Sequence, residues 1–338
     1  MLNVYSLILA GGSGKRLWPI SRAKLPKQMI VFDGEKTLLE KTIDRFSKII
    51  PRERRWIVTT DAYAQDIKTV CNDLVETIII EPIACNTAPA LLLSCLELYQ
   101  KNPDALVVVT PSDHVISSED RFLASIQSAC EYAQIHDALV VVGVRPREPL
   151  PCYGYIEINN EHQALVDTST VYPVVMFHEK PSIELAHWYI GMPTMLWNCG
   201  IICARVSVIL EEFKIHAPVL FDAVSGGHEP VAESIDDALL EKSQKLFAVF
   251  GDFDWSDVGS LETFIAASRS VHMKKNHVDL MGARNNIVYS NKTVLCASVQ
   301  DICVIDTDDV LLIMPRNTHQ QTFDIVDALI NRGLQEYI

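Results

Sequence analysis

No two of the nine cysteines stand in a CxxC pair. Cys199 and Cys203 are four apart, and no His or Cys pair nearby completes a zinc site. An odd, scattered set of thiols fits a reducing compartment better than a disulfide framework. Long apolar runs are missing too. The stretch "ALVVV" at 105–109 is strand-sized, far short of the ~20 residues of a spanning helix. The opening "MLNVYSLILAGG" has no basic leader and too short an apolar run for a signal peptide. These absences predict a soluble, cytoplasmic protein with no membrane partner. Positive charge is scarce: 29 Lys and Arg stand against 43 Asp and Glu, a net charge of −14. That balance argues against general binding to nucleic acid or to a membrane surface. Low-complexity segments and long repeats are also absent.

One further absence is local. Residues 1–32 contain no Asp or Glu, while 7–28, "LILAGGSGKRLWPISRAKLPKQ", carry five cations. A loop of that character suits a compact polyanion. It is not a Walker A loop, because Leu9 and Arg16 stand where a glycine and a hydroxyl residue are required. A dinucleotide fingerprint fits Gly12 and Gly14 and fails at Leu17. The physical content survives both failures. Gly11, Gly12 and Gly14 allow close backbone approach and let several N–H groups converge. Arg16 and Lys27 supply charge, one as a planar fork and one as a point. Pro19 and Pro26 are expected to keep the segment between them extended rather than helical.

At 338 residues the chain can bury roughly three quarters of its unfolded surface and needs no staples. Buried, β-branched runs at 4–10, 56–60, 77–80, 105–110 and 138–144 alternate with helical apolar spacing at 37–50, 87–100 and 122–135. That order predicts an α/β fold: a Rossmann-like, doubly wound and mostly parallel sheet, with ligands beyond the carboxyl ends of its strands. "YGYIEI" and "VVMFHEK" read as added strands covering the ligand. Short strands after about 275 and a last helix at 322–334 predict a small β-rich region, with a few coils of β-helix as one form open to it. The expected domains are therefore 1–275 and 276–338.

The segment "LAGGSGKRLWPISRAKLPKQ" resembles the signature of the sugar-1-phosphate nucleotidylyltransferases, most closely that of their mannose-1-phosphate guanylyltransferase branch. "EPIACNTAPA", "PSDHVI", "YGYIEI", "HEKPS", "WNCGI" and "DWSDVGS" continue the resemblance in family order over about residues 5 to 263. The resemblance implies transfer of GMP from GTP to α-D-mannose 1-phosphate, giving GDP-mannose and pyrophosphate. Another sugar phosphate or nucleotide, or a non-catalytic GDP-sugar sensor, stays open as an alternative. The branch has a long form with an isomerase domain, and a chain of this length is expected to lack isomerase activity. A homodimer through the β-rich tail is a further expectation.

Every reacting group in such chemistry is a phosphate, so cations, backbone donors and a metal should dominate over general bases. The resemblance assigns Ala10, Gly11, Gly12, Ser13, Gly14 and Lys15 to the nucleotide, with Arg16 and Lys27 as catalytic cations. Glu81 is expected at ribose or base. Asn86 is expected either at the nucleotide or as a helix cap, with Thr87 opening a helix whose dipole favours phosphate. Asp113 follows a buried strand, and Asp257 lies in "DWSDVGS". By resemblance these two are catalytic and hold Mg2+, which accepts one or two carboxylates with phosphate oxygens and water. His114 reads as structural. Gly154, Glu179, Lys180 and Asn198 are implied at the sugar phosphate, with Lys180 on its phosphate and Glu179 on a hydroxyl. Three residues depart from the family pattern: Lys15 for Thr, Cys85 for Arg, and Cys199 for the Ser of "WNSG", a position expected near the sugar.

Overall fold

The structure, a computed structural model, describes residues 3–32, 34–166, 169–269, 277–316, 318 and 321–338. In chain order the strands are β1 (Val4–Leu9), β2 (Arg55–Thr60), β3 (Thr77–Glu81), β4 (Leu106–Pro111), the two-residue β5 (Val115–Ile116), β6 (Leu139–Val144), β7 (Tyr155–Ile158), β8 (Ala164–Val166), β9 (Ser169–His178), β10 (Met195–Arg205), β11 (Leu246–Phe250) and β12 (Trp255–Ser256). They are followed by β13 (His277–Leu280), β14 (Ile287–Tyr289), β15 (Val294–Ala297), β16 (Ile302–Asp306) and β17 (Leu311–Pro315). The helices are α1 (Leu38–Ser47), α2 (Asp61–Cys71), α3 (Thr87–Lys101), α4 (Glu119–Ile135), α5 (Ile183–Tyr189), α6 (Val206–His216), α7 (Pro218–Ser225), α8 (Leu261–Arg269) and α9 (Gln321–Asn331).

The chain divides into two compact units that are not contiguous in sequence. The first comprises Met1–Gly11, Ile43–Ser112 and Ile116–Trp255; the second comprises Gly12–Thr42, Asp113–Val115 and Ser256–Ile338. The division expected at 275–276 falls among residues outside those described. The apolar residues of the cationic loop explain why that loop groups with the C-terminal strands. Leu17, Trp18 and Ile20 share a buried core with Phe264, Ile305, Leu312 and Met314.

The first unit is built on a ten-stranded sheet in the order β3-β2-β1-β4-β10-β6-β11-β9-β7, with β8 against β9. The β3-β2-β1-β4 half is parallel, as the alternating helical segments predict. The other half corrects the expectation of a mostly parallel sheet. β10 runs antiparallel to β4, β6 and β7, and β9 runs antiparallel to β11, β7 and β8. The cause is long-range: β10 returns from residue 195 to wedge between two strands that local pattern makes neighbours. Strand alternation sends Val107 and Val109 to one face with α3 and α6. Leu106 and Val108 go to the other face with α4.

In the second unit β13 pairs with β15 and β14 with β16, both parallel, and β17 closes antiparallel on β16. These are the short strands expected after 275, and α9 is the expected last helix. No helix among the described residues is long and apolar enough to cross a membrane.

Candidate active site

The cationic loop folds as a chain of turns. Lys15–Leu17 and Lys27–Met29 each form one 3-10 turn, one before Pro19 and one after Pro26, and the segment between the prolines is non-helical, as expected, but doubles back through an Arg22–Leu25 bridge. Gly14 sits at φ 67°, and a Cβ there would lie 2.5 Å from the Lys27 Cβ, so only glycine lets the two turns approach. Ser21 Oγ donates to the Gly14 carbonyl at 2.7 Å and fixes that crossing.

Around a cavity of about 310 Å³ the second unit gathers Ser13, Gly14, Lys15, Arg16, Lys27, Asp113 and Asp257, seven of the residues singled out from the sequence. Lys27 is 8% exposed. Its ammonium pairs with Asp113 Oδ2 at 2.7 Å and also donates to the Asp257 carbonyl. Burial raises the Asp113 pKa, but the Lys27 ammonium and His114 outweigh it and hold the carboxyl below its ordinary value. His114 therefore belongs to the cavity, beyond the structural role expected of it. Asp257 Oδ1 accepts from the Gly259 N–H at 2.9 Å. A Cβ on Gly259 would run into the Asp257 carboxylate. Between them Val258 is fully buried at φ 50°, a conformation β-branched residues rarely take. This tight turn aims the Asp257 carboxylate.

The remaining residues expected at the nucleotide lie in the first unit, apart from Gly12, which opens the second. Nothing lies within 4 Å of a Cβ built on Gly12, so no protein contact demands its glycine. Ala10 is tied into the sheet: its N–H donates to the Val58 carbonyl at 2.8 Å and its carbonyl accepts from Thr59 Oγ1 at 2.9 Å. A Cβ on Gly11 would stand 3.0 Å from Glu81 Oε1. Glu81 is 5% exposed, and burial raises its pKa to about 7. Asn86, at φ 71°, caps α3 by accepting from the Thr87 N–H at 2.9 Å. Thr87 Oγ1 accepts from the Ile235 N–H at 3.0 Å. Of the two roles read for Asn86, the cap is the one its side chain performs here.

The four residues expected at the sugar phosphate also converge within the first unit. The Asn198 N–H donates to the Gly154 carbonyl at 2.8 Å. A Gly154 Cβ would lie 2.9 Å from Glu179 Oε2, and Glu179 pairs with Lys180. One residue here escaped the sequence reading. Asp236 Oδ1 accepts from Asn198 Nδ2 at 3.2 Å, and its pKa is raised to about 7 by burial and by the neighbouring Glu179 charge. "ESIDDALL" offers no strand or motif that would have marked it. Cys199, expected near the sugar, is instead fully buried on the face of the sheet that carries α4, because neighbouring residues of a strand point to opposite faces. Cys85 is buried and its carbonyl accepts from the Glu233 N–H, while Lys15 is exposed at the cavity.

The arrangement thus offers cations and two carboxylates around one cavity in the second unit, and a cluster of polar and charged side chains in the first. Residues 5–274 match the Nucleotidyl transferase family. Mannose-1-phosphate guanylyltransferase of Escherichia coli (strain K12) is 32% identical over 367 residues, covering 99% of this chain and 75% of that protein. Mannose-1-phosphate guanylyltransferase 2 of Escherichia coli O157:H7 is 31% identical, with 99% and 75% covered. A solved structure from Thermus thermophilus, named a mannose-1-phosphate geranyltransferase, matches with a TM-score of 0.83 and 26% identity, covering 97% of this chain and 99% of that one. Sequence signature, site chemistry and these relatives agree, and the chain belongs to the Nucleotidyl transferase family.

Proposed function

We propose that the chain transfers GMP from GTP to α-D-mannose 1-phosphate, releasing pyrophosphate and GDP-mannose. The observation that carries this reading is the convergence of Arg16, Lys27, Asp113 and Asp257 on one cavity beside the glycine loop. The choice of guanine and mannose rests on the names of the Escherichia coli relatives.

A sugar phosphate oxygen, already ionised at neutral pH, attacks the α-phosphorus of GTP. A new P–O bond forms, the α–β P–O bond breaks, and pyrophosphate carries off the electron pair. The loop's N–H groups and Arg16 hold the triphosphate, and Lys27 neutralises charge that builds up in the transition state. Lys180 holds the phosphate of the sugar, and Glu179 takes a hydroxyl. Glu81, beside Gly11, accepts from the ribose or base. Asp113 and Asp257 give an all-oxygen donor set on one cavity, with Asp113 kept ionised, which fits Mg2+. When bound there, Mg2+ would supply charge stabilisation for the triphosphate.

The test is pyrophosphate release from GTP, ATP, UTP and dTTP, each with Mg2+ and with or without mannose 1-phosphate. Release with GTP and mannose 1-phosphate alone is expected. Release with a different pair would move the assignment of base or sugar. GDP-mannose binding without any turnover would make the chain a sensor.

A further inference from the structure

The cluster read as the sugar site holds a second carboxyl that the family signature does not contain. An asparagine amide can both donate and accept, which would suit neighbouring sugar hydroxyls at Asn198. In the fold Nδ2 is directed at Asp236 Oδ1, 3.2 Å away, and Oδ1 accepts from the Gly200 N–H at 3.0 Å. The amide is thus engaged as a brace, and the group it braces is Asp236. Asp236 opens a π-helical turn, Asp236–Leu240, whose Ala238, Leu239 and Leu240 are buried in the apolar core. The residue before it, Ile235, is held through its N–H by Thr87 Oγ1. The carboxyl is therefore mounted on a fixed element, and such π turns recur at functional sites.

We propose that Asp236, braced by Asn198, is a specificity-determining residue that works with Glu179 to take neighbouring hydroxyls of the hexose ring. This rests on the reading of the chain as a mannose-1-phosphate guanylyltransferase and adds a residue to its sugar site. The Glu179 charge disfavours the charge on Asp236, and the Lys180 ammonium acts against it there. The Lys180 ammonium pairs with Glu179 and reaches Asp236 only through its charge, so the two carboxyls have acceptor capacity left over. A sugar diol brings hydroxyl donors at matching spacing without adding charge. The raised Asp236 pKa, about 7, supports the same picture, since a carboxyl that is part protonated at neutral pH can also donate to a hydroxyl. A site built to hydrogen-bond a hydroxyl rejects an analogue lacking it, because its buried polar groups are then left unpaired.

The experiment compares the full chain with Asp236→Ala and Asp236→Asn, using GTP, Mg2+ and either mannose 1-phosphate or its 2-, 3-, 4- and 6-deoxy analogues. For Asp236→Ala we expect KM for mannose 1-phosphate to rise by ~10- to 100-fold, with KM for GTP within about twofold of the parent. The parent should lose a similar factor in kcat/KM on at least one deoxy analogue, and Asp236→Ala should show that particular loss reduced to about twofold. Asp236→Asn preserves size if the alanine variant fails to fold, and it should show the same loss of discrimination with a smaller rise in KM. A purely structural Asp236 would leave the ranking of the analogues unchanged, and that result would overturn the proposal, as would a parallel rise in KM for GTP. Failure of the parent chain to use mannose 1-phosphate would defeat the underlying reading and the proposal with it. A parent that turns over, with variants that discriminate as it does, defeats the proposal alone.

Discussion

Lys27 ties the cavity together, because its buried ammonium faces both the Asp113 carboxylate and the Asp257 carbonyl, and the proposed reaction gives it a second task there. Lys27→Ala should lower kcat by on the order of 10² or more. It should also destabilise the fold by about 1–3 kcal/mol, since Asp113 loses its partner while part-buried. Asp113→Asn removes the charge and keeps the shape, so it should cost a similar factor in kcat with a smaller change in melting temperature and a disturbed Mg2+ dependence. Rates near those of the parent at saturating Mg2+ would remove Asp113 from the metal. Glu81 makes a prediction of the opposite electrostatic kind. Its pKa rises from 4.5 to about 7 through burial, so the folded state binds its proton more tightly than the unfolded state does. The contribution is favourable at low pH and is lost as pH rises from about 4.5 through 7. Glu81→Gln, neutral throughout, should therefore gain melting temperature relative to the parent between pH 5 and pH 8. A constant difference across that range would mean that Glu81 titrates normally.

Among the elements, the parallel strands and the helices between them follow from β-branched runs and helical spacing, and so do the short strands after 275. The antiparallel half of the sheet is not legible in this way. β10 reads locally as the motif "WNCGIICAR", and nothing in those residues states that they pair with β4 and β6. Asp236 is hidden for the same reason, since only the placement of β10 brings Asn198 to it. Turn chemistry was legible at Gly14, where glycine in a polar loop marks a special backbone, but not at Val258. A buried valine at φ 50° costs about 1–3 kcal/mol, and such outliers persist where the surroundings over-determine them. Its neighbour supplies the test. Gly259→Ala should push a Cβ into the Asp257 carboxylate and re-aim it. We expect kcat to fall by more than about 10-fold, with more Mg2+ needed for half-maximal rate and far-UV circular dichroism unchanged. Retention of the parent's Mg2+ requirement would mean that the turn does not position Asp257.

At the scale of the whole molecule, the second unit joins the loop that carries Arg16 and Lys27 to strands nearly three hundred residues away. Trp18 Nε1 donates to the Tyr337 carbonyl at 2.7 Å, and Arg22 pairs with Asp309 at 2.8 Å. Leu17 and Trp18 lie in one core with Ile305, Leu312, Met314 and Val326. A division drawn along the sequence treats the region after 275 as an appendage, and an appendage that served only association would be dispensable for turnover. The shared core argues otherwise, because the loop's Leu17, Trp18 and Ile20 lose Cys303, Ile305, Leu312, Met314 and Val326 from that core once those strands and α9 are gone. Truncation after residue 275 should therefore abolish pyrophosphate release whatever the oligomeric mass of the product. The check is to measure turnover and light scattering on the same preparation. A truncated chain that changes mass but keeps the parent's kcat would show that the loop holds its shape without the C-terminal strands. One that loses activity at unchanged mass would place the role of those strands in supporting the loop, since association would then be intact while the cations had lost their scaffold.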